Sequence, residues 1–322
     1  MLNNWIFIDD FKELWIKINQ RGTKFILSKF NFLGYKRTIS SFSTNFQHAN
    51  WWIIPLLKER HNLLITGDKS KGYEEYISEK YFNSPNGKLL ISLGCGAGNH
   101  EIKLAELNKD LQIIGYDISE KLIDQANRKI IERALTNIKF LTMDVYKIDF
   151  EKESIDYFLF NASLHHFKNI RLFIEKKLKP SLSEFGLIII NEYVGPNRMN
   201  FSNDQIEFCN RCLKKHVSLE NRKILGLDTY KDQCYRLGKL RMYVSDPSEC
   251  VDSESILPVL RNEFRETEYV SLGGNILMPT LKHIAHHFVN RNESELLTLI
   301  DLEKDYLKNH SSDFVFAVYQ KR

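Results

Sequence analysis

Two short stretches place an imidazole and a carboxylate where they could act together. One is Asn161-Ala-Ser-Leu164-His165-His166-Phe167, and the other is Asn191-Glu192-Tyr193. A neutral imidazole oriented by a carboxylate removes a proton near neutral pH, which makes His165, His166 and Glu192 the candidate catalytic residues for activating a hydroxyl. Which of the two histidines acts stays open. Each stretch directly follows an apolar run, residues 155–160 before the first and residues 187–191 before the second, and both runs read as strands. Neighbouring parallel strands lie about 4.8 Å apart, so these strand ends meet side by side if the two strands pair. Taken singly, each histidine also suits a cap or a packing role.

Upstream, the apolar run Leu89-Leu90-Ile91-Ser92-Leu93 leads straight into Gly94-Cys95-Gly96-Ala97-Gly98-Asn99. Three glycines at alternate positions let the backbone turn sharply and let a ligand approach without a Cβ in the way. The following residues, 100–107, read as a helix whose N-terminus faces that ligand. Asn99 stands where a dinucleotide fingerprint has its third glycine. The next apolar run, residues 111–116, ends at Asp117, 23 residues after Gly94, and Ser119 and Glu120 then open another helix. An acid at that strand tip can accept both hydroxyls of a ribose. A third run, residues 138–143, ends at Asp144, and the fourth ends at Asn161. Polar residues thus gather on one edge of an open parallel sheet, the edge where ligands bind. Asp117, Asp144 and Asn161 are each also good helix or turn caps.

This pattern resembles the class I S-adenosylmethionine-dependent methyltransferases over residues 87–193 and in the final strand, residues 313–320. The resemblance implies an α/β fold: a Rossmann-like, seven-stranded, mostly parallel sheet with a helical N-terminal region and helical lid insertions. It implies S-adenosylmethionine as cofactor, with Gly94, Gly96 and Gly98 under its methionine part, Asp117 at the ribose and Asp144 at the adenine amino group. The candidate cofactor contacts are Ser92, Gly94, Cys95, Gly96, Gly98, Asp117, Ile118, Asp144, Val145 and Asn161. One departure matters. The family carries an acid two residues before the first glycine, near the cofactor's ammonium, and here that residue is Ser92, which leaves Glu101 and Asn161 as candidates to meet the charge.

The implied organisation is an N-terminal helical cap over 1–87, the cofactor-binding core over 88–194, a helical lid insertion over 195–262, and a C-terminal part, 263–322, that completes the sheet around helices inserted at 276–310. Phe11, Leu14, Trp15 and Ile18 recur at helical spacing, and at least one of Trp51 and Trp52 is expected in the core. Helical insertions at the ligand edge commonly exclude water and select substrate. Trp51-Trp52 with Ile54-Pro55, residues 62–68, residues 192–196 and residues 246–249 look like their counterparts in a bacterial group of such methyltransferases, which extends the resemblance without naming a substrate.

At 322 residues and 43% hydrophobic, the chain can bury more than a minimal Rossmann core. Residues 1–10 lack the basic start and apolar centre of a secretory signal, no run reaches the roughly 18 apolar residues of a membrane helix, and the five cysteines are scattered. A cytoplasmic protein with no membrane partner is expected. Cys209-Asn-Arg-Cys212 could join Cys234 and Cys250 in a zinc site, but spacing of i and i+3 in a helical segment points to one shared helix face, and no metal is expected. His283, His286 and His287, at i, i+3 and i+4, read as packing on one face of a lid helix.

Between Arg211 and Arg241, nine Lys or Arg face Glu220, Asp228 and Asp232, a net of +6 that exceeds the whole chain's +4. Such a segment could meet an anionic small molecule, although a solvated basic face is the simpler reading. Tyr230 and Tyr235 are its sole aromatics, a poor stacking platform that makes nucleic acid an improbable partner. The Leu-His-His element with a carboxylate ending strand five resembles small-molecule O-methyltransferases that act on sugars of natural products. The expected activity is methyl transfer to a hydroxyl of a sugar or other secondary metabolite in natural product biosynthesis. The alternatives are methylation of a nitrogen or carboxylate, an RNA methyltransferase, and a non-catalytic cofactor-binding subunit.

Overall fold

Runs of apolar and β-branched residues make the strands, and where they lie on both faces of each strand they mark a sheet covered on both sides. The computed structural model describes residues 8–21, 50–82, 86–236, 238 and 246–322. Residues 1–7 and 22–49 of the N-terminal region, with Lys239 and Arg241 of the basic segment, lie outside them. The chain divides into two compact units, one built from residues 62–194, 251–270 and 315–322, the other from the described parts of 1–61, 195–250 and 271–314.

The first unit carries the sheet. Its strands are β1 (Leu89–Leu93), β2 (Gln112–Asp117), β3 (Ile138–Thr142), β4 (Ile155–Asn161), β5 (Leu182–Tyr193), β6 (Phe264–Gly273) and β7 (Phe314–Lys321), in the order β3-β2-β1-β4-β5-β7-β6. β1 pairs in parallel with both β2 and β4, β2 with β3, and β4 with β5, giving a seven-stranded, mostly parallel sheet. Strand order reverses between β1 and β4, the crevice where open α/β sheets bind ligands. The register sets Asn161 beside Asn191, so the ends of β4 and β5 are adjacent as the strand reading expects. Phe158, Leu159, Phe160 and Ile188 to Ile190 are fully buried, which is why both strands read as unbroken apolar runs.

The glycine loop ends in helix α4 (Asn99–Leu107), and helix α5 (Glu120–Glu132) follows β2, burying Ile123 and Ala126 against the sheet. Helix α3 (Tyr73–Tyr81) precedes β1 and packs on α4.

The second unit is helical, with α1 (Ile8–Arg21), most of α2 (Pro55–Thr66), α7 (Asn203–His216), α9 (Leu277–Leu281) and α10 (Glu293–Leu307); α6 (residues 170–181) and α8 (Ile256–Glu263) belong with the sheet. The buried Glu303 carboxylate accepts the amides of Gly274, Ile276 and Leu277 at 2.9–3.1 Å, satisfying donors at the start of α9, with Arg60 at 3.6 Å as counter-charge. Trp51 is core, with its ring 5.4 Å from that of Phe314, and Trp52 is exposed. Cys209 and Cys212 are both buried on α7, on the shared face their spacing implies.

Three expectations change. α1 forms, but Phe11, Leu14 and Trp15 are exposed and Asp10, Glu13 and Ile16 are buried, because Glu13 binds Lys282 at 2.7 Å and His283 at 2.8 Å. The three histidines do not share a helix face: His283 takes a left-handed φ of 70°, which breaks the helix, and His286 and His287, their tilted rings 3.9 Å apart, lie in a later 3-10 turn. The basic segment is not one solvated face. Lys231 is buried and donates to the carbonyls of Pro279, Thr280 and Lys282 at 2.6–2.9 Å, and Arg222 donates to Val217 and Lys214. Arg211, Lys214, Lys215 and Lys223 are the exposed cations of its described part.

Candidate active site

The glycine loop is fastened to the end of β2. The amides of Gly94 and Cys95 both donate to the Tyr116 carbonyl, at 2.8 and 3.1 Å, and the Gly96 amide donates to Asp117 Oδ2 at 2.9 Å. Lys129 of α5 clamps the far side through the Ala97 carbonyl and Asn99. All three glycines have positive φ. A Cβ on Gly94 would meet Ser163 at 2.7 Å and one on Gly98 would meet the Phe140 ring at 2.3 Å, whereas a Cβ on Gly96 would meet nothing within 4 Å. Gly94 and Gly98 are therefore fixed by packing within the protein. Gly96 leaves its approach open to a ligand.

Asp117 is almost buried, and its second oxygen accepts the Ser119 amide at 2.8 Å. Burial raises its pKa, and the Ser119 and Gly96 amides and the charge of His166 oppose that rise. Its backbone carbonyl accepts the Met143 amide, which ties the tips of β2 and β3. Ile118 follows Asp117, half-buried. Asp144 caps the 3-10 turn Val145–Lys147 by accepting the Tyr146 amide at 3.1 Å, so the cap role is real, and Val145 packs against the core. Asn161 Oδ1 accepts from Asn191 at 2.9 Å, across the β4–β5 pair. Ser92 is buried and its hydroxyl donates to Glu101 Oε1 at 2.6 Å.

After β4 the chain turns sharply. Ala162 sits at a left-handed φ of 49°, a costly conformation for a residue with a Cβ, and it aims the next two amides at β5. Glu192 Oε1 accepts from the amides of both Ser163 and Leu164, the latter at 2.6 Å, and Oε2 lies 2.8 Å from His165 Nδ1. Both side chains are buried. With Nδ1 donating to the carboxylate, Nε2 becomes the basic nitrogen of a neutral ring. The His166 ring is tilted at 40° to that of His165 with centroids 4.2 Å apart, but its charge acts on Asp117. The two histidines thus separate: His165 is the one paired with Glu192.

Ser163, absent from the sequence-derived set, packs against Gly94 and keeps a buried hydroxyl with no hydrogen-bond partner. It joins the glycine loop to the His165 turn. A contact between two loops about 70 residues apart leaves no local signal.

Residues 85–260, more than half of the chain, match the family described as a methyltransferase domain. The chain belongs to that family. It is a class I S-adenosylmethionine-dependent methyltransferase, and S-adenosylmethionine is its cofactor. Among curated proteins it is 31% identical over 113 residues to a Clostridium botulinum tRNA (guanine-N(7)-)-methyltransferase, covering 33% of this chain and 50% of that one. It is also 31% identical over 124 residues to its Desulfitobacterium hafniense namesake, covering 35% and 57%. The chain spans about half the length of the curated relatives it matches. Among solved structures, geranyl diphosphate C-methyltransferase from Streptomyces coelicolor aligns with 91% of this chain and 99% of its own, at TM-score 0.56 and 11% identity, a likeness of fold. Among the described residues no helix is long and apolar enough to cross a membrane.

The residues at the loop fit the cofactor. Gly96 admits close approach, and Asp117 offers lone pairs to a diol. A buried oxygen of Glu101, Oε2, has no hydrogen-bond partner.

Proposed function

We propose that this methyltransferase acts on a hydroxyl of a small molecule, a sugar or other secondary metabolite, with His165 as general base. The observation that carries the reading is the buried His165–Glu192 pair at 2.8 Å, one turn beyond a loop whose Ser163 touches the glycine cradle. In this reading Gly94, Gly96 and Gly98 cradle the cofactor, Asp117 accepts its ribose hydroxyls, and Asp144 and Val145 lie at its adenine. The bound cofactor supplies a methyl group activated by a sulfonium. His165 Nε2 takes the proton of the acceptor hydroxyl as the oxygen attacks, while Glu192 fixes the ring through Nδ1 and balances the imidazolium that forms. We place the reaction in the cytoplasm, within natural product biosynthesis.

Methylation of a tRNA base is a second reading, favoured by the names of the curated relatives and by the exposed Arg211, Lys214, Lys215 and Lys223. The same relatives give no support to an expectation that nucleic acid is an improbable partner. Chemistry separates the two readings. Guanine N7 carries a lone pair and no proton, so its methylation needs no base. A screen of hydroxylated small molecules and of unmodified tRNA, read by release of S-adenosylhomocysteine, tests both. Turnover on a hydroxyl acceptor that falls with His165→Ala supports the first reading, and tRNA N7 methylation indifferent to His165→Ala supports the second.

A further inference from the structure

Glu101, in the first turn of α4, is 2% exposed. Its Oε1 accepts the Ser92 hydroxyl at 2.6 Å, and its Oε2 is enclosed with no hydrogen-bond partner. A buried carboxylate oxygen without a donor costs several kcal/mol relative to one that has a donor, so such a group marks a place where a donor or cation is missing. The adjoining His100 does not fill it: its Nδ1 is held by Glu74 Oε1 at 2.6 Å. The carboxylate also lies beside the glycine loop, because Ser92, to which it is bridged, stands two residues before Gly94. The Tyr73 ring lies 5.6 Å from that of His100, the residue before Glu101, and its buried hydroxyl lacks a partner.

Of the polar groups on S-adenosylmethionine, its primary ammonium alone brings both donors and a full positive charge, the combination a buried carboxylate requires. We propose that Glu101, bridged to Ser92, is the receptor for that ammonium, with the Tyr73 hydroxyl as its neighbour. The proposal rests on the reading that places the cofactor in the glycine cradle. It assigns the anionic subsite to a helix residue seven positions beyond Gly94, where the strand itself offers the uncharged Ser92. Burial raises the Glu101 pKa, with His100 and the Ser92 hydroxyl opposing, and a bound cation would pull it down again.

The test is calorimetric and needs no acceptor. S-adenosylhomocysteine and its deamino analogue, which keeps the adenosine and carboxylate but lacks the amino group, are titrated into the parent protein and into Glu101→Gln. The parent is expected to bind S-adenosylhomocysteine at least about tenfold tighter than the analogue, and Glu101→Gln to close that gap by weakening S-adenosylhomocysteine alone. Ser92→Asp added to Glu101→Gln, which returns a carboxylate to the strand, is expected to reopen it. A parent that binds both ligands equally, or a gap that survives Glu101→Gln, overturns the proposal. Should Glu101→Gln not fold, Glu101→Asp, with its charge withdrawn by one methylene, must narrow the gap, and an unchanged gap overturns it too. A parent that binds neither ligand instead ends the placement of the cofactor in the cradle.

Discussion

Glu192 accepts three hydrogen bonds, two of them from the backbone, so its carboxylate is fixed before the His165 ring reaches it. That rigidity is what positioned proton removal needs. His165→Ala is expected to lower turnover on a hydroxyl acceptor by about 10²–10⁴ with cofactor affinity nearly unchanged, and Glu192→Gln to cost less, since it disturbs the orientation of the base without removing it. Steady-state kinetics alongside calorimetry checks both, and a His165→Ala enzyme with parental turnover would remove the base from the mechanism. Asp117→Ala should weaken S-adenosylhomocysteine at least tenfold, given roughly 1.5–3 kcal/mol for each charge-assisted bond before compensation. Equal affinity in a folded variant would show Asp117 misplaced. Asp313 serves stability instead. Burial pushes its pKa from the ordinary 3.8 up to about 7, partly countered by the hydrogen bond from Gln205. The folded chain therefore holds a proton that the unfolded chain releases, so the contribution is fully present below about pH 4 and fades as pH rises to 7, by at most about 1.4 kcal/mol per pH unit. Asp313→Asn should flatten this part of the stability profile in unfolding experiments from pH 4 to 8, and a parental slope would count against it.

The strand–loop–helix element around the glycines yields a sharper contrast. Gly98→Ala drives a Cβ into the Phe140 ring at 2.3 Å as well as forcing a left-handed residue, so stability should fall by more than the roughly 1–2 kcal/mol of the backbone effect. Gly96→Ala meets open space and should lose only that backbone part, yet bind S-adenosylhomocysteine about tenfold or more weakly, because the new methyl stands where the ligand approaches. Denaturant unfolding and calorimetry distinguish the two, and a Gly96→Ala protein with parental affinity would move the cofactor off the loop. These elements were legible in the sequence because their signals are local: apolar runs, glycines at alternate positions, polar residues at strand tips. The pairing of His165 with Glu192 was legible in outline, since parallel register brings β4 and β5 ends together, but the choice of histidine depends on the left-handed Ala162, which no periodicity encodes. The buried face of α1 departs from its apolar spacing because Glu13 has its partners near residue 283, and Lys231 departs from a solvated basic face because its three carbonyls lie 48–51 residues away. Burial of charge is decided by tertiary partners. Helical spacing reports only the apolar residues.

For the molecule as a whole, the exposed cations and the tRNA-modifying relatives raise the question of what the enzyme holds besides its cofactor. Reversing Lys214, Lys215 and Lys223 to Glu spares Arg222 and Lys231, whose donors hold the fold. Under the small-molecule reading, filter binding should find tRNA affinity weak in the parent and little changed in the variant, whereas tight, salt-sensitive binding lost on reversal would favour the tRNA reading. The central claim is that the glycine cradle and the His165–Glu192 pair form one methyl-transfer site, and a crystal structure with S-adenosylhomocysteine tests it most directly. The expected result has the ribose hydroxyls on Asp117, the ligand passing over Gly96, and His165 Nε2 lining the space beside the sulfur. Ligand bound away from the loop, or a sulfur with His165 and Glu192 both turned from it into the core, would contradict the claim.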